Sequence, residues 1–355
     1  MTMYVHVMRT RYPHWGLHSG INQYLKHVDN TNYCVFEKLV PDSDEEFPIR
    51  NKFFRRMLRE MVQARGMQWY KLSDLFAEIC ALKSCLLRRV DVVHYLDAEH
   101  SAQYLPPLMK RLYRIRPKFV ATYHQPPDLL EKLIRKDIVS MFDCVTVVSS
   151  AQVAYFGEFL ERDKIKLILH GIDTEFFRPG EESEKKDKFI CITVGRYFRD
   201  FKALREVAVR LSLCREIEFH VITSLPTECE DMPNVTVFRD IDDAFLVRLY
   251  QQSDLLFLPL IQSTANNALL EGIACGLPVV STDLPAVREY LPGQEAVLVK
   301  ENDSKLLAET IHHLYSNPAL RREMGLMARH RAKELDWRSI SSKYEAVYRK
   351  VAHTI

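Results

Sequence analysis

STANNALLEGIACGLPVVSTD, residues 263–283, reads as a loop, a helix and a buried strand in immediate succession. Thr264 is a suitable N-cap, and Ala265 to Cys275 carry helical apolar spacing at Leu269, Leu270, Ile273 and Ala274. Gly276 is the expected stop, and the strand opened by Pro278-Val279-Val280 is too apolar to face solvent. The polar residues sit at one end only. The side chains of Asn266 and Asn267 therefore converge with the unpaired N–H groups of the first helical turn, a combination that favours a phosphate. Glu271 follows Asn267 by four residues, on the same face one turn deeper, within reach of a sugar diol.

A strand buried on both faces needs helices above and below it, and the rest of the chain supplies them. Apolar strands recur at 3–8, 32–40, 92–96, 119–123, 144–148 and 166–169, then at 189–194, 218–222, 235–238, 255–260, 278–282 and 296–299, each set alternating with helical stretches. This pattern predicts an α/β protein with two parallel-sheet domains of the Rossmann type. At 355 residues the chain is long for one core and comfortable for two. The expected division is 1–178, a polar charged linker at 179–188, and 189–335, with 336–355 a closing helix. In open parallel sheets ligands bind beyond the carboxyl ends of the strands, so two such domains are expected to face each other across a ligand cleft.

Four stretches together resemble glycosyltransferase family 4, whose members have the GT-B fold and use nucleotide-activated sugars. The stretch 263–283 is similar to the family's nucleotide-binding motif, with Glu271 as its second glutamate; Ser263 stands where the first glutamate is usual. LHGIDTEFFRP (169–179) resembles the hinge-proximal signature, TVGRYFRDFK (193–202) the phosphate site, and LDWRSISSKYEAVYRKV (335–351) the closing helix, which is expected to pack back on the N-terminal domain. The resemblance implies a retaining enzyme that moves a sugar from a nucleoside diphosphate sugar to a hydroxyl acceptor, without metal or other cofactor. It assigns Arg196 and Lys202 to the departing diphosphate, with Gly195 letting the backbone approach closely. Ser263, Thr264, Asn266 and Asn267 fall to the phosphates and sugar, Glu271 to the ribose, and Arg239 to Ile241 to the base. Gly16 and Gly20, in the loop after the first strand, correspond to the family's glycine-containing first loop. His124 ends the strand FVATYH, where members place a histidine beside the donor sugar; His94 and His100 compete for that role, and His170 reads as structural. Two other readings stay open: a sugar-nucleotide epimerase of the same fold, and a degenerate member that binds nucleotide sugars without turnover.

Other classes are excluded or unsupported. No Gly-x-Ser-x-Gly elbow, His-Glu-x-x-His or Walker loop occurs. The eight cysteines are scattered without a Cys-x-x-Cys pair, as expected for reduced core residues of a cytoplasmic protein. No run of about 18 apolar residues could cross a membrane, and MTMYVHVMRTRYPHW does not resemble a signal peptide. Net charge is +2, but residues 1–170 hold 25 Lys and Arg against 19 Asp and Glu. Ten of those bases lie in 50–89, where Phe53, Phe54, Met57, Leu58 and Met61 alternate with Arg55, Arg56, Arg59 and Arg65 at helical spacing. Such a helix suits peripheral contact with an anionic inner membrane face and a lipid-linked acceptor. No nucleic-acid-binding module accompanies the bases, so nucleic acid is not an expected partner.

Overall fold

The computed structural model describes residues 2–11, 17–41, 43–44, 47–63, 67–112, 117–181 and 187–353. Gly16, Arg65 and residues 182–186, half of the expected linker, lie outside that range. The chain forms two compact units. The first contains residues 1–15, 24–169 and 340–355, and the second residues 16–23 and 170–339.

The sheet of the first unit contains β1 (Met3–Arg11), β2 (Tyr33–Pro41), β3 (Val92–Tyr95), β4 (Lys118–Tyr123), β5 (Cys144–Val147) and β6 (Ile165–Leu167). Their order is β2-β1-β3-β4-β5-β6, and every pairing is parallel. β3 and β5 are buried at every position, which is why their sequences show no polar alternation. A core of Val93, Tyr95, Phe119, Tyr123, Phe142 and Phe156 packs against this sheet.

The second unit holds β7 (Phe189–Val194), β8 (Ile217–Ile222), β9 (Val235–Phe238), β10 (Leu255–Leu258), β11 (Val279–Thr282) and β12 (Ala296–Val299), in the order β12-β11-β10-β7-β8-β9. All its pairings are parallel too. The order reverses direction between β7 and β10. Loops leaving the two strands on either side of such a reversal diverge, and the crevice between them is the natural binding place of a doubly wound sheet.

All twelve expected strands are present, and no strand end is displaced by more than three residues. Two local expectations differ from the structure. The helix of the 263–283 stretch runs over Asn267–Ala274 and is capped by Asn266, not Thr264. Asn266 has an extended backbone and its side chain accepts the Leu269 N–H, so it takes the cap that the sequence assigned two residues earlier. The segment at Ile21 is a 3-10 helix, Ile21–His27. The unit boundary also falls at 169/170, ahead of the polar linker. Residues 170–178 stay with the second unit because Ile172 exchanges backbone bonds with Leu335 and Trp337, and Arg329 donates to the carbonyls of Thr174 and Phe177. The last helix, Trp337–His353, contributes its first three residues to the second unit and the remainder to the first.

Candidate functional site

The crevice between β7 and β10 is built from loop chemistry. After β7 the chain turns at Gly195, whose φ of +90° suits glycine and whose N–H donates to the Ile222 carbonyl. Phe198 also has a left-handed backbone, held there because its carbonyl accepts the Ile261 N–H while Asp200 N–H donates to the Pro259 carbonyl. A non-glycine residue in that conformation stores strain, and such strain clusters at ligand-binding turns. Asn302 fastens the same region, its amide donating to Asp200 Oδ2 at 2.9 Å and to the Leu260 carbonyl at 3.0 Å.

This turn aims Arg199 inward. Its guanidinium donates to the carbonyls of Val194 (2.8 Å) and Tyr197 (3.0 Å) and to Asn266 Oδ1 (3.1 Å). Burial pushes its pKa down to about 10, so it stays cationic at neutral pH, within the field of Glu271. Arg196 and Lys202, the cations expected at the phosphate site, lie exposed, the first on the same loop and the second in the first turn of the helix Phe201–Arg210, and their side chains make no hydrogen bond or ion pair with any described residue. Sequence reasoning missed Arg199. A second arginine three residues after Arg196 gave no periodic signal, and only the left-handed turn at Phe198 decides which arginine points inward.

Glu271 lies at the centre. It sits one turn into the helix Asn267–Ala274 and is 4% exposed, against the sheet at a point where Gly272 leaves no room for a larger residue: a Cβ there would meet Leu256 Cδ2 at 2.6 Å. Its Oε1 accepts the Ser19 hydroxyl at 2.6 Å and its Oε2 the Tyr250 hydroxyl at 3.0 Å. Burial raises its pKa, and the two hydroxyl bonds oppose that rise. A carboxylate oxygen accepts two hydrogen bonds, so capacity for further hydroxyls remains on both.

Ser19 reaches this carboxylate because residues 16–23, although they follow β1, belong to the second unit. The Leu17 N–H donates to Asp243 Oδ2 (2.7 Å), His18 bonds Asp173 Oδ2 (2.9 Å) while stacking on Phe176, and the Gln23 amide donates to the Leu17 carbonyl. Gly20 closes the loop with a φ of +97°. Burial pushes the Asp173 carboxyl up, but His18 and the amides of Phe176 and Glu175 outweigh it and hold the group below its ordinary range.

The other expected residues have separate fates. Ser263 donates to the Thr264 carbonyl at 3.1 Å; Thr264 is buried, and Asn267 opens the helix, half-buried. Arg239 is drawn into an ion pair with Glu230, and Ile241 lies half-buried after the left-handed Asp240. His124 belongs to the first unit. Its Nε2–H donates to the Leu96 carbonyl at 2.7 Å and its backbone N–H to the buried Glu99 at 3.0 Å. His94 is fully buried among Tyr24, Tyr348 and Thr122, with its pKa pushed down to about 3 by burial, as a structural histidine requires; His100 packs on Trp69. Among the described residues no cluster of His, Cys, Asp or Glu is arranged to hold a metal ion, and no helix is long and apolar enough to cross a membrane.

Comparison with known proteins decides the family. The model described as Glycosyltransferase Family 4 matches residues 35–176, and that described as Glycosyl transferases group 1 matches 188–317. The chain belongs to glycosyltransferase family 4. Among relatives, it is 26% identical over 234 residues to D-inositol 3-phosphate glycosyltransferase of Thermobifida fusca, a match covering 57% of this chain and 52% of that protein. The chain thus spans about half the length of the curated relatives it matches. Its GT-B fold is that of sucrose-phosphate synthase from Thermosynechococcus elongatus, with a TM-score of 0.73, 16% identity and coverage of 98% and 99% of the two chains. Anabaena HepE, solved in complex with UDP-glucose, superposes with a TM-score of 0.66 at 13% identity, covering 98% of this chain and 100% of that one.

Proposed function

We propose that this family 4 protein is a glycosyltransferase moving a sugar, with retention, from a nucleoside diphosphate sugar to a hydroxyl acceptor in glycan, polysaccharide or glycolipid assembly. The observation that carries this reading is the buried Glu271 carboxylate, which receives two hydroxyls at the helix start beside the Arg199–Asn266 pair. The Ser19 hydroxyl makes the kind of bond a ribose hydroxyl would make, and the unused acceptor capacity suits a diol. Arg196 and Lys202, at the carboxyl end of β7, would neutralise the diphosphate as it departs, and Arg199 would add a fixed positive charge behind Asn266. Cations already in place when leaving-group charge develops lower the barrier without reorganisation, and such electrostatic stabilisation usually contributes more to the rate than any other single effect. Asn266, with its Oδ1 used for the cap and for Arg199, retains its amide N–H groups for a ligand, and Asn267 stands beside it. The family relationship and the UDP-glucose complex of a structural relative support a nucleotide sugar as donor.

The test is incubation with a panel of nucleotide sugars, scored for hydrolysis and transfer by mass spectrometry. Release of nucleoside diphosphate from one donor, lost in Glu271→Gln, is the expected result. A folded protein that neither binds nor turns over any nucleotide sugar refutes the reading.

Peripheral membrane contact is proposed on a separate observation. The helix Lys52–Gln63 packs inward along Leu58 and Val62, with Arg55 and Arg59 turned to the buried Asp44, while Phe53, Phe54, Met57 and Met61 are each more than half exposed beside Lys52 and beside Arg56, which pairs with Glu60 at 2.9 Å. Exposed phenyl rings flanked by cations suit an anionic lipid surface. Co-sedimentation with anionic but not zwitterionic vesicles at low salt is expected. No binding to anionic vesicles overturns it.

A further inference from the structure

The protons around the Glu271 carboxylate are all committed. Ser19 has one hydroxyl proton and gives it to Oε1 at 2.6 Å. Tyr250 is fully buried, and burial raises its pKa well above the ordinary value, so it keeps its proton at neutral pH. That proton goes to Oε2 at 3.0 Å, nearer than the Ala268 carbonyl at 3.4 Å. The Ser19 side chain makes no other hydrogen bond among the described residues. Its oxygen therefore has lone pairs to offer and no proton left, and the ionised carboxylate beside it has none either. The edge formed by Ser19 Oγ, Oε1 and Oε2 accepts hydrogen bonds and cannot donate them. A ligand that fits it must bring the protons.

Ser19 is fixed in this role from both sides. Before it, the Leu17 N–H is held by Asp243 and the His18 ring by Asp173. After it, the left-handed Gly20 turns the chain, and its carbonyl accepts the Gln23 N–H at 3.2 Å. Asp243 opens the helix Asp243–Gln252, the same helix that carries Tyr250, so both hydroxyls on Glu271 are tied to one element. Glu271 is almost wholly covered, whereas Ser19 is half-buried. A ligand oxygen that reaches Oε1 also comes within reach of Ser19 Oγ, 2.6 Å away.

We propose that Ser19 and Glu271 together read both hydroxyls of the donor's ribose, so that the protein takes ribonucleoside diphosphate sugars and rejects 2′-deoxyribonucleoside ones such as thymidine diphosphate sugars. This rests on the ribose lying at Glu271. One hydroxyl of the diol donates to Oε2, and its neighbour donates across Oε1 and Ser19 Oγ in a three-centre bond. A deoxyribose brings one proton to an edge that needs two, and leaves an acceptor desolvated and unpaired. Removing the serine hydroxyl takes away one of the two acceptors that share the second proton, so the missing hydroxyl is missed less.

Calorimetry on the whole chain tests this, with UDP, GDP and ADP as probes. The nucleotide that binds is then compared with its 2′-deoxy and 3′-deoxy forms. Each deoxy form should bind about ten- to a hundredfold more weakly. In Ser19→Ala that gap should shrink by about fivefold for one of the two deoxy forms, and Ser19→Thr, which keeps the hydroxyl, should restore it. A serine that merely held residues 17–23 in place would weaken all three nucleotides alike. A gap unchanged in Ser19→Ala, or no gap in the parent, therefore overturns the proposal while the nucleotide site stands. Stronger binding of thymidine diphosphate than of any ribonucleotide overturns it as well. If no nucleoside diphosphate binds at all, the placement of the ribose at Glu271 fails first, and the role of Ser19 falls with it.

Discussion

Replacing Glu271 by glutamine should separate stability from activity. In the folded protein the carboxylate is buried and accepts one hydroxyl on each oxygen, from Ser19 and Tyr250. Burial raises its pKa above the ordinary value of 4.5, so the folded state ionises it less readily than the unfolded chain does. The sign follows. Below the ordinary value both states are protonated and the group costs nothing; as pH rises from that value through the raised one, its ionisation works against folding. Glutamine keeps the shape, removes that penalty, and still offers one oxygen and one amide to two hydroxyls that can rotate to donate or accept. Exchanging charge-assisted bonds for neutral ones and losing the desolvation penalty nearly offset, so stability at neutral pH should lie within about 1 kcal/mol of the parent. The unfolding difference between the two proteins should also vary with pH above 4.5 and level off below it. Turnover should not survive. A glutamine cannot accept bonds from both hydroxyls of a ribose while holding Ser19 and Tyr250, and losing charged contacts to a buried diol costs about 2–4 kcal/mol, roughly thirty-fold to a thousand-fold in kcat/KM. The assay pairs thermal unfolding across the acidic to neutral range with donor hydrolysis on the preferred nucleotide sugar. A folded Glu271→Gln protein turning over near the parental rate would refute the placement of the ribose at this carboxylate.

Arg199→Lys should lower both stability and donor affinity, because an ammonium cannot span Val194, Tyr197 and Asn266; since the group is partly exposed, about 2 kcal/mol of stability is expected by thermal unfolding. Arg196→Ala, removing an exposed cation whose side chain bonds no described residue, should leave the unfolding midpoint unchanged while weakening nucleotide-sugar binding measured by calorimetry. Gly195→Ala should cost about 1–2 kcal/mol from the left-handed backbone alone, and its Cβ, 3.1 Å from Arg199 Nη2, should also weaken donor binding. At Ser263, where the family usually has glutamate, Ser263→Glu and Asn267→Ala should shift preference across the donor panel; unchanged preference in two active variants would mean that the sugar is read by other residues.

The sequence by itself determined the class of fold and where its strands lie along the chain. Near-continuous apolar runs such as LLFL and CVTV demand burial on both faces, and helix-covered parallel sheets provide it, so the central strands were legible. Glu271 was legible too, because helical spacing alone sets it one turn behind Asn267. The tertiary structure decided what depends on contacts between segments far apart in the chain. Asn266 rather than Thr264 caps the helix because its side chain is fixed jointly by Leu269 and by Arg199, 67 residues away. Arg199 turns inward only because Phe198 and Asp200 are tied to the end of β10. Ser19 reaches Glu271 across 252 residues, a pairing that leaves no periodic trace in either segment. Local spacing encodes which face a residue occupies; which distant side chain meets it there is set by strand order, and the β7–β10 reversal brings these loops together.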